Sequence, residues 1–599
     1  MKAQKTSIVL AMTLSGLVAT SCSGPEVNSQ TKSEEAKLEA KPQSQLEKEK
    51  EVPINVGPTA PRNRGAFVDK TKEVGLENIQ STHNYIVDWN GDGVEDLVIL
   101  PEYYGPAQFY TYNLKYKRFI KADYNPFGIV TRSSFMAFAD FNRDGLLDVV
   151  LATLNQKTEL NKDPLRLYLA TKEGRRVKYI LQPQAFDKKI YPVSSLGLID
   201  YNMDGLLDIF IGSWFDFQKR GNKSAPDRLL QGRKDKSGRL SFVDASLQLE
   251  GEHKYNRDLK IYPHAVPTYG VSICDVDQNG FPDIATASSS GYSNRLWLNL
   301  QEPKSSERFF KEYGDQTKFS HDMEGAYSQL GGGNSFYTLC HDYNNDGIID
   351  FAVGELFHSY DTESRDRSSI LTGMKNDFPP QFLRTEYHMD DGTGSWNQGD
   401  RRAVWVDLNF DSHTDLLVEN SGFPPKSRLI AFDQDKNHSF ADLSKDYGID
   451  LVNPSGITTA DYNRDGRQDL IIGQVSIRNA SIKPRIYVFE NQFSFKDKKV
   501  LKIILRGKKA NYHGLGATVI VSTDKGTYRK FVSYIDGGLP SQNSEGLYFG
   551  LAQKESIKSI EVRWPYLRKD KSNRSYPYRR KYKVSSKFNK FKEVTLTDF

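Results

Sequence analysis

The stretch Asp461–Asp469, DYNRDGRQD, places oxygen-bearing side chains at positions 1, 3, 5 and 9 and glycine at position 6. Six further copies precede it, DWNGDGVED from Asp88, DFNRDGLLD from Asp140, DYNMDGLLD from Asp200, DVDQNGFPD from Asp275, DYNNDGIID from Asp342 and DLNFDSHTD from Asp407, at starts 52, 60, 75, 67, 65 and 54 residues apart. Repetition on this scale signals an array of supersecondary units. A calcium ion takes six to eight oxygens in a flexible shell. A tight loop of this pattern offers carboxylates and an amide from alternate positions, and glycine supplies a positive φ without steric cost. The expected ligands are Asp88, Asn90, Asp92 and Asp96; Asp140, Asn142, Asp144 and Asp148; Asp200, Asn202, Asp204 and Asp208; Asp275, Asp277, Asn279 and Asp283; Asp342, Asn344, Asp346 and Asp350; Asp407, Asn409, Asp411 and Asp415; and Asp461, Asn463, Asp465 and Asp469. Up to seven Ca²⁺ ions follow from that count. Ser412 stands where the other loops have glycine, so the loop from Asp407 is expected to be the weakest site.

Short apolar runs flank each loop, such as FMAFAD and LDVVLA around Asp140. They are too short for helices and suit buried strands, so each loop joins two antiparallel strands. Later runs (PLRLYLA, NRLWLNL, SRLIAF, PRIYVFE) bring the number to roughly four strands per repeat, the blade of a β-propeller. FVDKTKEVGL (67–76) has a near-twin in FADLSKDYGI (440–449), which ends the sixth repeat. The strand at Phe67 is therefore expected to belong to the last blade and to close the ring. The expected fold is all-β: a seven-bladed propeller over residues 59–495, followed by a small β domain over 496–599 with a basic tail.

These loops and strands resemble the FG-GAP/VCBS repeats of the integrin alpha-subunit head. LRGKKANYHGLGATVIV (505–521), SQNSEGLYFGLA (541–552) and IKSIEVRWP (557–565) resemble the ASPIC/UnbV domain of cartilage acidic protein and its bacterial relatives. The resemblance implies calcium loops clustered on one face of a propeller, with a C-terminal β domain after it.

Met1 to Ser21 reads as a signal peptide, and ATSC before Ser23 resembles a lipobox with Cys22 as the lipidated residue. Residues 22–58 are charged and poor in apolar side chains, hence a disordered tether. The chain is expected to be exported and lipid-anchored in the cell envelope, at the outer membrane. Cys274 and Cys340 complete the three cysteines. They fall on opposite faces of equivalent strands and are expected to be buried free thiols.

The formal charge of +5 concentrates in LRKDKSNRSYPYRRKYKVSSKFNKFK (567–592). The partners expected are the membrane through the lipid, and an acidic polysaccharide, lipopolysaccharide or protein ligand. Nucleic acid is not expected of an exported chain, and a solvated tail completing the last strands is an equal reading. No His-Glu-x-x-His, Gly-x-Ser-x-Gly or Walker-type loop occurs. QLGGGNS near Gly331, His264 and His321 read as loop residues. Two functions stand: a calcium-stabilised binding or adhesion module, and an exported hydrolase or lyase with its site in the propeller funnel or an inserted loop, including SYDTESRDRSS.

Overall fold

The computed structural model describes residues 66–599 except 155–163, 190, 217–222, 259–260, 303–304, 306, 321–332, 357–366, 376–377, 387–398, 421–426, 478, 570, 572–574 and 586. The signal peptide, the tether, Cys22, Gly331, His321 and most of SYDTESRDRSS lie outside the described residues. The protein is nearly all β. Seven antiparallel sheets recur along the described chain, six of four strands and the fourth with a fifth strand, Gly537–Gly538, added from the C-terminal domain, and each loop joins the first two strands of one sheet. The first strands are His83–Val87, Phe135–Ala139, Val193–Ile199, Thr268–Cys274, Ser335–His341, Asp400–Val406 and Pro454–Ala460. Every second strand begins on the ninth loop residue, at Asp96, Asp148, Asp208, Asp283, Asp350, Asp415 and Asp469.

First and second strands are buried along almost their whole length, which is why they read as continuous apolar runs and not as alternation. Both faces of each sheet are covered because neighbouring sheets pack on one another. Phe109 of the first sheet and Tyr168 of the second share a cluster, as do Val150 and Ile209, Phe210 and Trp297, Leu298 and Phe351, Ala352 and Leu416, and Leu417 and Leu470. Ile471 of the seventh sheet packs with Leu97 and Ile99 of the first, so the succession returns on itself in a propeller-like ring.

The strand Phe67–Asp69 is the fourth strand of the seventh sheet. It runs antiparallel to Arg485–Asn491, with Phe67 opposite Asn491 and Asp69 opposite Phe489. Phe67 is 1% exposed and meets Tyr447 and Phe493 edge-on or tilted. The N-terminal end of the array thereby covers the edge of its C-terminal end.

Cys274 and Cys340 form a disulfide with their Cα atoms 6.6 Å apart, which corrects the expectation of free thiols. Their side chains do leave opposite faces of equivalent strands. In a ring of sheets, however, the opposite faces of two neighbours are the faces that meet.

The C-terminal domain carries a three-stranded sheet in which Lys498–Arg506 lies between Leu547–Ala552 and a parallel Phe591–Thr597. Beside it is a four-stranded sheet of Thr527–Phe531, Thr518–Thr523, Ile557–Lys569 and Ser575–Tyr582. The basic stretch thus supplies the last strands of the domain. No helix among the described residues is long and apolar enough to cross a membrane.

Two outcomes follow. A protein starting at residue 59 should fold as the full chain does. One starting at residue 70 should aggregate and melt lower, because the seventh sheet loses its outer strand; equal melting of the two would exclude the closure. Cys274→Ser should destabilise the protein by about 2–4 kcal/mol in denaturant unfolding, since the bond closes a loop of 66 residues.

Candidate functional site

Two hydrogen bonds recur in all seven loops. The first-position carboxylate accepts the N–H of position 6, for example Gly466 to Asp461 at 3.0 Å and Gly93 to Asp88 at 2.8 Å. The fifth-position side chain accepts the N–H of position 7, as Val94 donates to Asp92 at 2.9 Å.

The ninth-position aspartate also binds backbone. One oxygen accepts a backbone N–H from the third strand of its own sheet in every repeat, at 2.7–2.9 Å, from Tyr112, Ala170, Gly232, Asn299, Gly373, Gln434 and Asn491. Its other oxygen accepts the N–H of position 2 in five loops, as from Val276 to Asp283 at 2.7 Å. In the first and seventh loops that second oxygen, on Asp96 and Asp469, is buried without a partner, as is one oxygen of Asp342.

Among the described residues, Asp275, Asp277 and Asp283 bring one carboxylate oxygen each within 4.8 Å of one another. The loop whose sequence departs at position 5 is therefore the one whose three carboxylates converge. Orphaned carboxylate oxygens and converging aspartates fit a hard divalent cation.

Burial is the first cause that lifts the loop carboxyls above their ordinary range, and the neighbouring loop aspartates add to it. Asp96 is raised to about 9, Asp148 and Asp350 to about 8, Asp275 and Asp461 to about 7, and Asp342 and Asp407 to about 6. A carboxyl with an ordinary pKa of about 4 when unfolded and a higher one when folded binds protons on folding. The metal-free fold is therefore favoured at low pH and loses stability as pH climbs through these values.

The C-terminal domain sits on the loop end of the ring. Arg143 of the second loop donates to the Lys508 carbonyl. Arg529 donates to Gln278 at 2.5 Å and to the Gly347 carbonyl at 2.8 Å, joining the fourth and fifth loops. Glu95, beside the ninth position of the first loop, accepts from the N–H of Glu545 at 2.9 Å. Gly205 has φ +89°, and a Cβ there would lie 2.4 Å from the Lys509 carbonyl oxygen. Glycine at position 6 thus serves both the turn and the close approach of the second domain.

From that domain, residues 537–544 run down the middle of the ring. Gly537 and Gly538 pair with Val271 and Gly270, and Leu539 donates to the Ser194 carbonyl at 2.9 Å. Arg402, paired with Glu419 at 3.2 Å, donates to the Leu539 carbonyl. Gln542 takes the N–H of Phe138 at 2.9 Å and that of Ile86 at 2.9 Å. Asn543 accepts from Thr459 at 3.0 Å, and Gly537 faces Tyr337. This one segment touches the first strand of all seven sheets. This segment occupies the axis where the enzyme reading places its site, and Arg402 and buried His83, whose pKa is lowered by burial, face it.

Arg402, Arg529, Gln542 and Glu95 were not singled out from the sequence. Only Glu95, a second carboxylate abutting a ninth position, gave a local sign. His264 is a loop residue whose carbonyl accepts from Arg295.

Residues 88–151 match the FG-GAP-like repeat family, and residues 507–587 match the ASPIC and UnbV family. No curated protein matches the chain. Among solved structures the chain is similar to the V. cholerae biofilm matrix protein Bap1 (10% identity over 70% of this chain and 88% of that one, TM-score 0.31). It is also similar to Saccharomyces cerevisiae Sqt1 (8%, 72% and 90%, TM-score 0.36) and to the exotype rhamnogalacturonan lyase YesX (11%, 69% and 91%, TM-score 0.27). At these scores none of the three bears on function.

The acidic loops set one test. In chelator, the melting temperature should fall between pH 5 and pH 8, and added Ca²⁺ should raise it more at pH 8 than at pH 5. A calcium effect that is larger at pH 5 would contradict the loop electrostatics. The chain is a β-propeller-type protein with an FG-GAP-like repeat and an ASPIC and UnbV domain.

Proposed function

We propose that this is an exported, membrane-tethered, calcium-binding propeller that acts as a binding or adhesion module for an acidic glycan or envelope component. The loop aspartates and asparagines would hold Ca²⁺, which supplies the positive charge that the buried carboxylates lack. The chain's own residues do the rest: the ninth-position aspartates tie the strands, and the position 6 residues admit the C-terminal domain.

The observation that carries the choice of ligand is in the last sheet. Arg563 and Arg579 stand directly opposite on adjacent strands, and burial together with Arg579 and Arg529 lowers the pKa of Arg563. Like charges placed opposite each other on a sheet are destabilising, and a bound anion relieves them. Asp275 and Glu561, the latter 3.9 Å from Arg563 and 3.8 Å from Lys581, offset part of this charge, but Arg579 and Lys581 on the outer strand and Lys583 just after it are exposed. Strand Ser575–Tyr582 lies at the end of its sheet, so this basic row is open along one edge. The disulfide supports an oxidising compartment outside the cytosol, in line with the signal peptide and Cys22.

The test uses lipid-free protein and an immobilised acidic polysaccharide, with lipopolysaccharide and neutral glycan beside it. Arg579→Glu with Lys581→Glu should weaken binding to the acidic glycan at least about tenfold, with melting unchanged and with salt sensitivity reduced. Equal binding by the variant would remove this surface as the site. Asp465→Ala should cost about 2–4 kcal/mol of stability in saturating Ca²⁺, whereas Asp411→Ala should cost under about 1, and both should still bind glycan while folded. Membrane association should be lost in Cys22→Ala.

A further inference from the structure

The loop from Asp407 differs from the other six in what its side chains touch. Elsewhere the third-position oxygen accepts the N–H of position 5 at 2.8–3.1 Å. Asn409 has left that position. Its amide nitrogen donates to Asp433 at 2.9 Å, and its amide oxygen lies 3.4 Å from Nζ of Lys498, which also donates to the Asn409 carbonyl at 2.8 Å. Lys498 begins the first strand of the C-terminal domain.

The other two departures in this loop point the same way. Ser412 keeps the positive φ of a glycine, +76°, and donates its hydroxyl to the Gly550 carbonyl at 2.9 Å. Phe410, where the other loops carry Gly, Arg, Met, Gln or Asn, is 2% exposed, clusters with Val500 and Tyr548, and stacks on Phe495 at 5.3 Å. Asp411 accepts the N–H of His413 at 3.0 Å and faces its ring nitrogen at 3.1 Å.

We infer that this loop is a metal-free latch: the Lys498 ammonium takes the cation's place at the third position, and Phe410 and Ser412 fasten the C-terminal domain to the sixth sheet. The metal half of the inference rests on the calcium reading of the other loops. An ammonium on the third-position oxygen and a divalent ion on the same oxygen repel each other at short range. Asn409 is also already committed on both ends of its amide. The strain of a non-glycine residue at positive φ is offset by a hydrogen bond that only a hydroxyl there can make.

Native mass spectrometry of the lipid-free, calcium-saturated protein counts the ions. Wild type and Asp411→Ala should both carry six, and Asp465→Ala five. Seven ions on wild type, or one fewer on Asp411→Ala than on wild type, would overturn the metal-free assignment. No ion on any variant would overturn the calcium reading itself, and the latch is then decided by a second measurement made in chelator. There, limited proteolysis of the 492–497 connection should be at least about threefold faster in Lys498→Met than in wild type, and close to wild type in Lys498→Arg. Equal cleavage of Lys498→Met and wild type would overturn the latch.

Discussion

Each sheet depends on a buried carboxylate that binds the backbone of its third strand. The ninth-position aspartate reaches the third strand with one oxygen in every repeat and closes its own loop with the other in five. A carboxylate in that place satisfies N–H groups that no strand ladder reaches. It also brings negative charge into an apolar interior, and the cost is visible in the raised pKa of Asp96, Asp148 and Asp350. Under the calcium reading proposed above, a cation next to it would convert that cost into cohesion. On that proposal, structure and metal chemistry would meet on one side chain, and the two roles could not be mutated apart at this position.

The same economy governs the second domain. It covers the loop end, where positive side chains such as Arg529 and Lys498 meet acidic loops, and sends residues 537–544 through the ring. The proposed ligand would then meet surfaces that remain open, among them the basic edge at Arg579 and Lys581.

The repeat and its strands were legible because they are local: a nine-residue pattern fixes the loop, and continuous apolar runs fix the strands on either side. Closure at Phe67 was legible because two copies of one segment could be matched. What was missed depends on neighbours distant in sequence. The strand positions of Cys274 and Cys340 place them on opposite faces, yet sheets in a ring meet through opposite faces, so the two sulfurs bond. GGLPSQNSEG reads as an ordinary polar loop, and nothing within it says that Gln542 will bond to Phe138 some four hundred residues earlier. Ser412 was read as a blemish in a metal loop; its hydroxyl in fact has a partner on Gly550, which the sequence alone does not bring near.

The segment along the axis also constrains the order in which the molecule can assemble. The first strand of every sheet waits for residues 537–544, which are made after nine-tenths of the chain, and the seventh sheet waits to pair with residues 67–69. Contacts this far apart in sequence form slowly and leave strand edges open meanwhile. Completion of the ring is therefore a late event that needs nearly the whole polypeptide in one compartment.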